Sequence, residues 1–259
     1  MPRGRHGGVM KPAPFEYHAP ASIGEACSLI GSLEDAKVLA GGQSLIPLLN
    51  FRLARPAHLV DINRIANFDR IYERDGGIAV GALARQADVE DSQLVARVCP
   101  LLAAAMRLVA HRVIRNRGTV CGNLAHADPA SELPAVLLAL GGHVVARSAR
   151  GSRIIPAADF FTSVMQTRLA PDELLTEAWF PKSTGRFGIA EESRRHGDFA
   201  LAGAVRYGDR LALFGVAPTP VLADPRDPAR GLQPSADLEA TAEFRLHLVQ
   251  VVTERVFPQ

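Results

Sequence analysis

The 259-residue sequence predicts an α+β protein in three lobes, and three patterns predict it. Up to residue 142, apolar runs broken by glycine pairs alternate with stretches of helical period. From residue 143 onward, short alternating segments flank hairpin turns. A last helix over residues 235–257 would carry Leu238, Ala242, Leu246, Val249, Val252 and Val256 on one stripe. It follows a segment, 217–235, whose five prolines read as a linker. The lobes divide as 10–57, 58–172 and 173–259, the last a shortened lobe of three strands and a helix.

Each element has a local reason. Val38, Leu39 and Ala40 read as a strand ended by the turn Gly41-Gly42, and Ser44 as the cap of a helix over 45–51, with Pro47 tolerated in its first turn. Residues 58–62 and 78–82 read as strands. A helix spans 100–109, because Leu101, Leu102, Ala105, Leu108 and Val109 fall on one face. Another spans 133–140, closed by Gly141-Gly142. Residues 143–149 and 153–155 flank the hairpin signal Arg150-Gly151-Ser152; 174–180 is a strand stopped by Pro181; 200–207 and 210–216 pair around Gly208-Asp209. There is no internal repeat. Residues 1–9 are basic and glycine-rich with no apolar core behind them, so they read as a disordered extension rather than a secretory signal, with Met10 the more natural start.

Composition removes several function classes. Net charge is +2, from 29 Lys and Arg against 27 Asp and Glu, too balanced for a nucleic-acid or anionic-membrane surface. No apolar run approaches the roughly 20 residues that span a bilayer. Cys27, Cys99 and Cys121 are scattered and odd in number, which suits a reduced, cytoplasmic chain. Three thiolates cannot hold an iron–sulfur cluster unaided.

Two glycine-rich segments carry the chemistry. The first is Leu39-Ala40-Gly41-Gly42-Gln43-Ser44-Leu45; the second, Gly118-Thr119-Val120-Cys121-Gly122-Asn123, runs on into His126-Ala127-Asp128-Pro129-Ala130-Ser131-Glu132-Leu133-Pro134. Glycines beside small hydroxyl residues let bare N–H groups converge on an anion with no Cβ in the way. A helix starting after Ser44 would add the positive end of its dipole. Two such loops from distant parts of a chain suit the two halves of one diphosphate. Neither matches a P-loop or a Rossmann turn, and a Gly-Gly pair alone is more often an ordinary tight turn.

Other polar residues have plainer readings. Asp128 before Pro129 suits a helix cap. His126, Asp128 and Glu132 could be assembled into a hard-metal site, but nothing else in the chain supplies matching ligands. Arg194, Arg195 and His196 read as a solvated or interfacial basic turn in preference to a phosphate or nicotinamide site. One of Arg112, Arg115 and Arg117 could neutralise a diphosphate. Trp179 reads as core or interface, and His58, His111 and His143 as structural.

With these motifs in view, the chain resembles the flavin-binding subunits of the molybdenum hydroxylases: the medium subunits of carbon monoxide, nicotine and caffeine dehydrogenases and the flavin domain of xanthine dehydrogenase. Ala40 to Leu45 matches that family's A-G-G-x-S-L. Thr119 to Asn123 matches T-x-G-G-N, with Cys121 in place of the first glycine. Ala125 to Ala135 matches A-x-x-D-P-A-x-E-L-P-A, and Arg194 to Ala200 resembles R-R-x-G-D-x-A. The resemblance covers roughly residues 12–220. It implies a fold of the vanillyl-alcohol-oxidase (PCMH) type, with FAD extended between the first two lobes and the third lobe packed over the flavin.

By position, residues 40–44 and 119–123 would hold the pyrophosphate, Glu132 the ribityl chain, and Val109 would cover the isoalloxazine ring. Cys121 would add a side chain beside the phosphates. Where some relatives place a flavin-contacting lysine or tyrosine, this chain has residues 189–191. The resemblance further implies an electron-transfer role: a large subunit carrying molybdopterin, a small subunit carrying two [2Fe–2S] clusters, and a dimer of such three-subunit units. Two readings compete with it, an assembly subunit that has lost FAD and a free-standing flavin reductase of the enolpyruvyl-sugar type.

Overall fold

The computed structural model describes residues 11–257; the extension at residues 1–9 and the start at Met10 lie outside them. The chain opens with β1 (Glu16–His18), α1 (Ile23–Ser32), β2 (Ala36–Leu39), α2 (Leu45–Asn50) and β3 (His58–Asp61). These strands form a parallel sheet in the order β1-β3-β2. Helix α1 crosses over between β1 and β2, capped by Ser22, whose hydroxyl accepts from the Glu25 amide.

The middle of the chain supplies β4 (Ile71–Arg74), β5 (Gly77–Gly81), and then six short helices. They are α3 (Gln86–Asp91), α4 (Gln93–Val98), α5 (Pro100–Met106), α6 (Arg112–Arg115), α7 (Val120–His126) and α8 (Glu132–Leu140). A hairpin follows, β6 (His143–Ser148) and β7 (Gly151–Pro156), then α9 (Ala157–Phe160), the small pair β8 (Phe161–Ser163) and β9 (Gln166–Thr167), and β10 (Leu174–Pro181). The antiparallel sheet runs β4-β5-β10-β6-β7.

The last lobe holds β11 (Phe187–Glu192), β12 (Ala202–Tyr207), β13 (Arg210–Phe214) and β14 (Val221–Ala223) in one antiparallel sheet, with α10 (Ala242–Val256) packed on it.

Sheet membership redraws the expected lobes. Strand β3 completes the first sheet and β10 occupies the middle of the second, so the divisions fall after residue 61 and after residue 181 instead of at 57/58 and 172/173. The third lobe has four strands, not three: β11 takes the place expected of residues 174–180, and β14 forms inside the proline-rich segment. The final helix begins at Ala242 under a Thr241 cap, not at residue 235. Asp237 explains the delay. Its carboxylate accepts from the Glu239 and Ala240 amides and from Arg245, holding a turn where the helix was expected, and Leu238 is left 99% exposed. The helix expected over 100–109 stops at Met106, and Ala110 takes a positive φ of 44°.

All nine residues of α8 are buried, because the helix lies between the central sheet and the third-lobe sheet and meets apolar side chains on both sides. One large core joins the first two lobes to this helix; a second, smaller core lies between the last sheet and α10. None of the described helices is long and apolar enough to cross a membrane.

Candidate functional site

The two glycine motifs, 75 residues apart in sequence, touch. A Cβ on Gly41 would collide with the Arg117 carbonyl and stand 2.9 Å from the Gly118 Cα, so only glycine lets the backbones close. Gly42 holds φ at +75°, which a side chain disfavours. Three side-chain bonds rivet the pair. Asn63 donates to the Ala40 carbonyl (2.8 Å), Arg85 donates to Asn63 Oδ1 (2.7 Å), and the same guanidinium donates to the Arg117 carbonyl (2.7 Å). Asn63 is in turn held by Asp61, whose other oxygen accepts from the Tyr17 hydroxyl at 2.6 Å.

Asn63 and Arg85 were invisible to motif reading. Each stands in an unremarkable segment and acquires its role only when the second sheet folds against the first. Beside them Asn63, Arg64, Leu83, Arg85 and Asp88 line an open cavity of about 270 Å³.

The loops differ in what they leave available. In the first, the N–H groups of Gly41, Gly42, Gln43 and Ser44 donate to no acceptor among the described residues. They form a half-exposed row, fit to receive an anion. Ser44 also departs from expectation: it stands at the N-cap position of α2 with a helical backbone and makes no side-chain capping bond, so its hydroxyl is unspent.

The second motif spends most of its amides internally. Residues 120–126 are a helix, not a loop. Thr119 caps it by accepting from Gly122 N at 3.0 Å, while Gly118 N goes to Ile114 O, Val120 N to Ala84 O and Asn123 N to Thr119 O. A Cβ at Gly122 would sit 2.5 Å from the capping hydroxyl, which explains that glycine. Cys121 points away from the loops: its thiol is 2% exposed, 3.5 Å from the Val80 carbonyl, and burial pushes its pKa far up. The expectation that it would lie beside the phosphates is overturned by helical geometry, which turns residue 121 toward the central sheet.

Behind the second motif, Ser131 donates to Asn123 Oδ1 at 2.8 Å and Asp128 accepts from the Ala130 amide at 2.9 Å. Asp128 therefore closes an Asx turn; the cap position of α8 belongs to Ser131. Glu132, in the first turn of α8, is 8% exposed. Burial pushes its carboxyl up to about 8, helped by the charges of Glu191 and Asp128. Glu191, on β11, is pushed by burial to about 7, and its Oε2 is buried with no partner among the described residues. No metal cluster forms around Glu132 among the described residues.

Val109 is 5% exposed in the turn after α5, its carbonyl held by Arg115. Arg115 is buried and paired with Glu90, and Arg112 pairs with Glu90 and Asp91, so of the three arginines only Arg117 is left at the loops. The Arg194 turn docks on this region: Gly197, at φ +88°, lies against the His111 ring, and Arg194 itself pairs with Glu239. Trp179 donates to the Arg74 carbonyl and stacks on His143.

A family model described as the FAD binding domain in molybdopterin dehydrogenase matches residues 13–183. The nicotine 6-hydroxylase medium subunit of Paenarthrobacter nicotinovorans is 37% identical, over 95% of this chain and 97% of that protein. The carbon monoxide dehydrogenase medium chain of Hydrogenophaga pseudoflava is 41% identical, over 81% of this chain and 77% of that protein. Among solved structures, a chain of quinoline 2-oxidoreductase from Pseudomonas putida 86 superposes with a TM-score of 0.89 at 32% identity, covering 95% of this chain and 96% of that one. The α+β fold is thus the FAD-binding fold that the motifs implied. With its motifs in contact, its fold matched end to end and its sequence matched by the family model, the chain belongs to the FAD-binding domains of the molybdopterin dehydrogenases, a family of oxidoreductase components.

Proposed function

We propose that this chain is the FAD-holding electron-transfer subunit of a multi-subunit molybdenum hydroxylase. One observation carries the reading: the row of unspent amides from Gly41 to Ser44, held open against the Gly118 turn. Four donors and a free hydroxyl match the oxygen-rich diphosphate of a dinucleotide, and the lack of a Cβ at Gly41 and Gly42 lets it approach.

The roles divide accordingly. Gly41, Gly42, Gln43 and Ser44 bind the diphosphate, with Leu39, Ala40 and Leu45 holding the loop between β2 and α2. Gly118, Thr119, Val120 and Gly122 form its floor, the Cys121 side chain packs behind them on the central sheet, and Asn123 and Asp128 fix the approach to α8. Glu132 offers its carboxyl to the ribityl hydroxyls, and Val109 packs beside the ring. FAD supplies the capacity to take electrons singly and release one or two; the protein orients it and tunes its potential.

The donor is a small subunit with two [2Fe–2S] clusters, itself fed by a large subunit with molybdopterin, in a cytoplasmic dimer of three-subunit units. The relatives' names, medium subunits of nicotine 6-hydroxylase and carbon monoxide dehydrogenase, support this place. So do three cysteines, all buried and unpaired, which fall short of the four thiolates of a cluster. The loss-of-FAD reading rests on Cys121 and on the short C-terminal lobe; of these, the thiol is turned away from the loops.

The test is flavin content after co-expression with the large and small subunits. About one acid-released FAD per chain, lost in Gly41→Ala, is expected. A clean three-subunit complex without flavin would overturn the proposal.

A further inference from the structure

We propose that Glu16, His18 and His58 form a divalent transition-metal site on the first sheet, distinct from the glycine loops. Read in sequence, His58 had no partner. Folding supplies two. β1 and β3 run parallel with Glu16 opposite His58, and His18, two residues along β1, projects to the same face. One ligating atom from each of the three lies within 4.8 Å of the others.

The distances are those of a coordination shell. An ion bonded at about 2.0–2.1 Å in tetrahedral geometry sets its ligand atoms about 3.3–3.4 Å apart. His18 Nε2 lies 3.2 Å from His58 Nδ1, and Glu16 Oε2 lies 3.5 Å from the same nitrogen. Two edges of the polyhedron are thus in place. The third, from Glu16 to His18, closes by movement of a carboxylate whose side chain is 75% exposed. The His58 side chain is only 19% exposed, which fixes one ligand while the other two approach from the edge strand.

Two imidazoles and a carboxylate suit Zn²⁺, Co²⁺, Ni²⁺ or Cu²⁺ and not Mg²⁺ or Ca²⁺, which prefer all-oxygen shells. Three protein ligands leave a fourth position for water. The ion would clip the three-residue edge strand β1 onto β3, the strand that leads to Asn63.

The experiment uses the untagged full-length chain, stripped with chelator and titrated with Zn²⁺ by calorimetry and with Co²⁺ by visible absorption. One equivalent per chain with a tetrahedral Co²⁺ spectrum is expected. Glu16→Gln, His18→Gln and His58→Gln should each weaken binding by about tenfold or more. If the half-buried His58 variant fails to fold, His18→Gln on the edge strand decides. Failure to take up Zn²⁺ and Co²⁺, or uptake that survives His18→Gln unchanged, would overturn the site.

Discussion

Replacing Glu132 with Gln separates what this side chain costs the fold from what it offers the cofactor. Burial of the first turn of α8 pushes the native carboxyl from its ordinary 4.5 up to about 8. The sign follows from which state holds the proton. Between 4.5 and 8 the folded chain keeps a proton that the unfolded chain has released, so stability falls as pH rises through that window. At about 1.4 kcal/mol per pH unit, the distance from 4.5 to pH 7 amounts to about 3 kcal/mol of lost stability.

Gln has the shape of the protonated acid and carries no proton to lose. Glu132→Gln should therefore stabilise the cofactor-free chain by about 3 kcal/mol at pH 7, and the gain should shrink toward zero near pH 5. Urea unfolding of parent and variant at pH 5, 6, 7 and 8 reads the difference, in which the titrating groups not coupled to Glu132 cancel. Because Glu191 contributes to the upward push, Glu191→Gln should narrow the gap without closing it. Above pH 8, where the native side chain is a charged acceptor for a ribityl hydroxyl and Gln is not, the same Glu132 variant should hold FAD about tenfold more weakly. Parallel pH profiles for parent and variant would refute the reasoning.

Three further outcomes follow from the loop geometry. Gly41→Ala forces the loops apart against backbone atoms that have no rotamer to change, so it should cost about 2 kcal/mol and most of the bound flavin; a normal FAD-to-protein ratio would contradict that. Arg85→Met removes both guanidinium bonds that span the motifs and should lower stability by about 1–3 kcal/mol, with faster flavin loss during dialysis as the second readout. Cys121→Gly restores the usual family residue yet should bring no gain in flavin. It removes a buried side chain and adds a glycine in the first turn of α7, so thermal unfolding should show a loss of about 1–2 kcal/mol.

What could be read from the sequence was local. The Gly41-Gly42 turn, the Thr119 and Gly122 positions and the closing glycine of α8 each follow from a few neighbouring residues, and the motifs' shared makeup with the family resemblance paired the two. What escaped depended on partners distant in sequence. Residues 174–180 have the pattern of a strand but nothing that says which sheet they join, and β10 entered the middle of the central one. Asn63 and Arg85 bridge loops that only tertiary folding brings together. Residues 120–126 read as a loop because of their glycine, although Thr119 followed three residues later by that glycine is the spacing of a capped helix start. The stripe through Leu238 was periodic but stood in front of an Asp237 turn that outcompetes the helix.

The asymmetry between the two glycine motifs explains why both are needed. A loop that leaves four successive amides without protein partners has no ladder of its own to hold its shape. It must be braced from outside, and the brace must bring no side chain into the space above the amides. The second motif meets both demands. Its own amides are tied into α7 and to Ala84, so it is rigid, and it presents backbone at Arg117 and Gly118 toward Gly41. Water satisfies the first loop's amides at modest cost, and an anion satisfies them better. The buried carboxyls of Glu132 and Glu191 follow the same logic: each is a group the fold alone would be more stable without at neutral pH, and in the proposed role a ribityl hydroxyl would give Glu132 its partner. If the proposed diphosphate site is right, ligand binding and folding are one linked equilibrium, in which a cofactor held between the two motifs stabilises both.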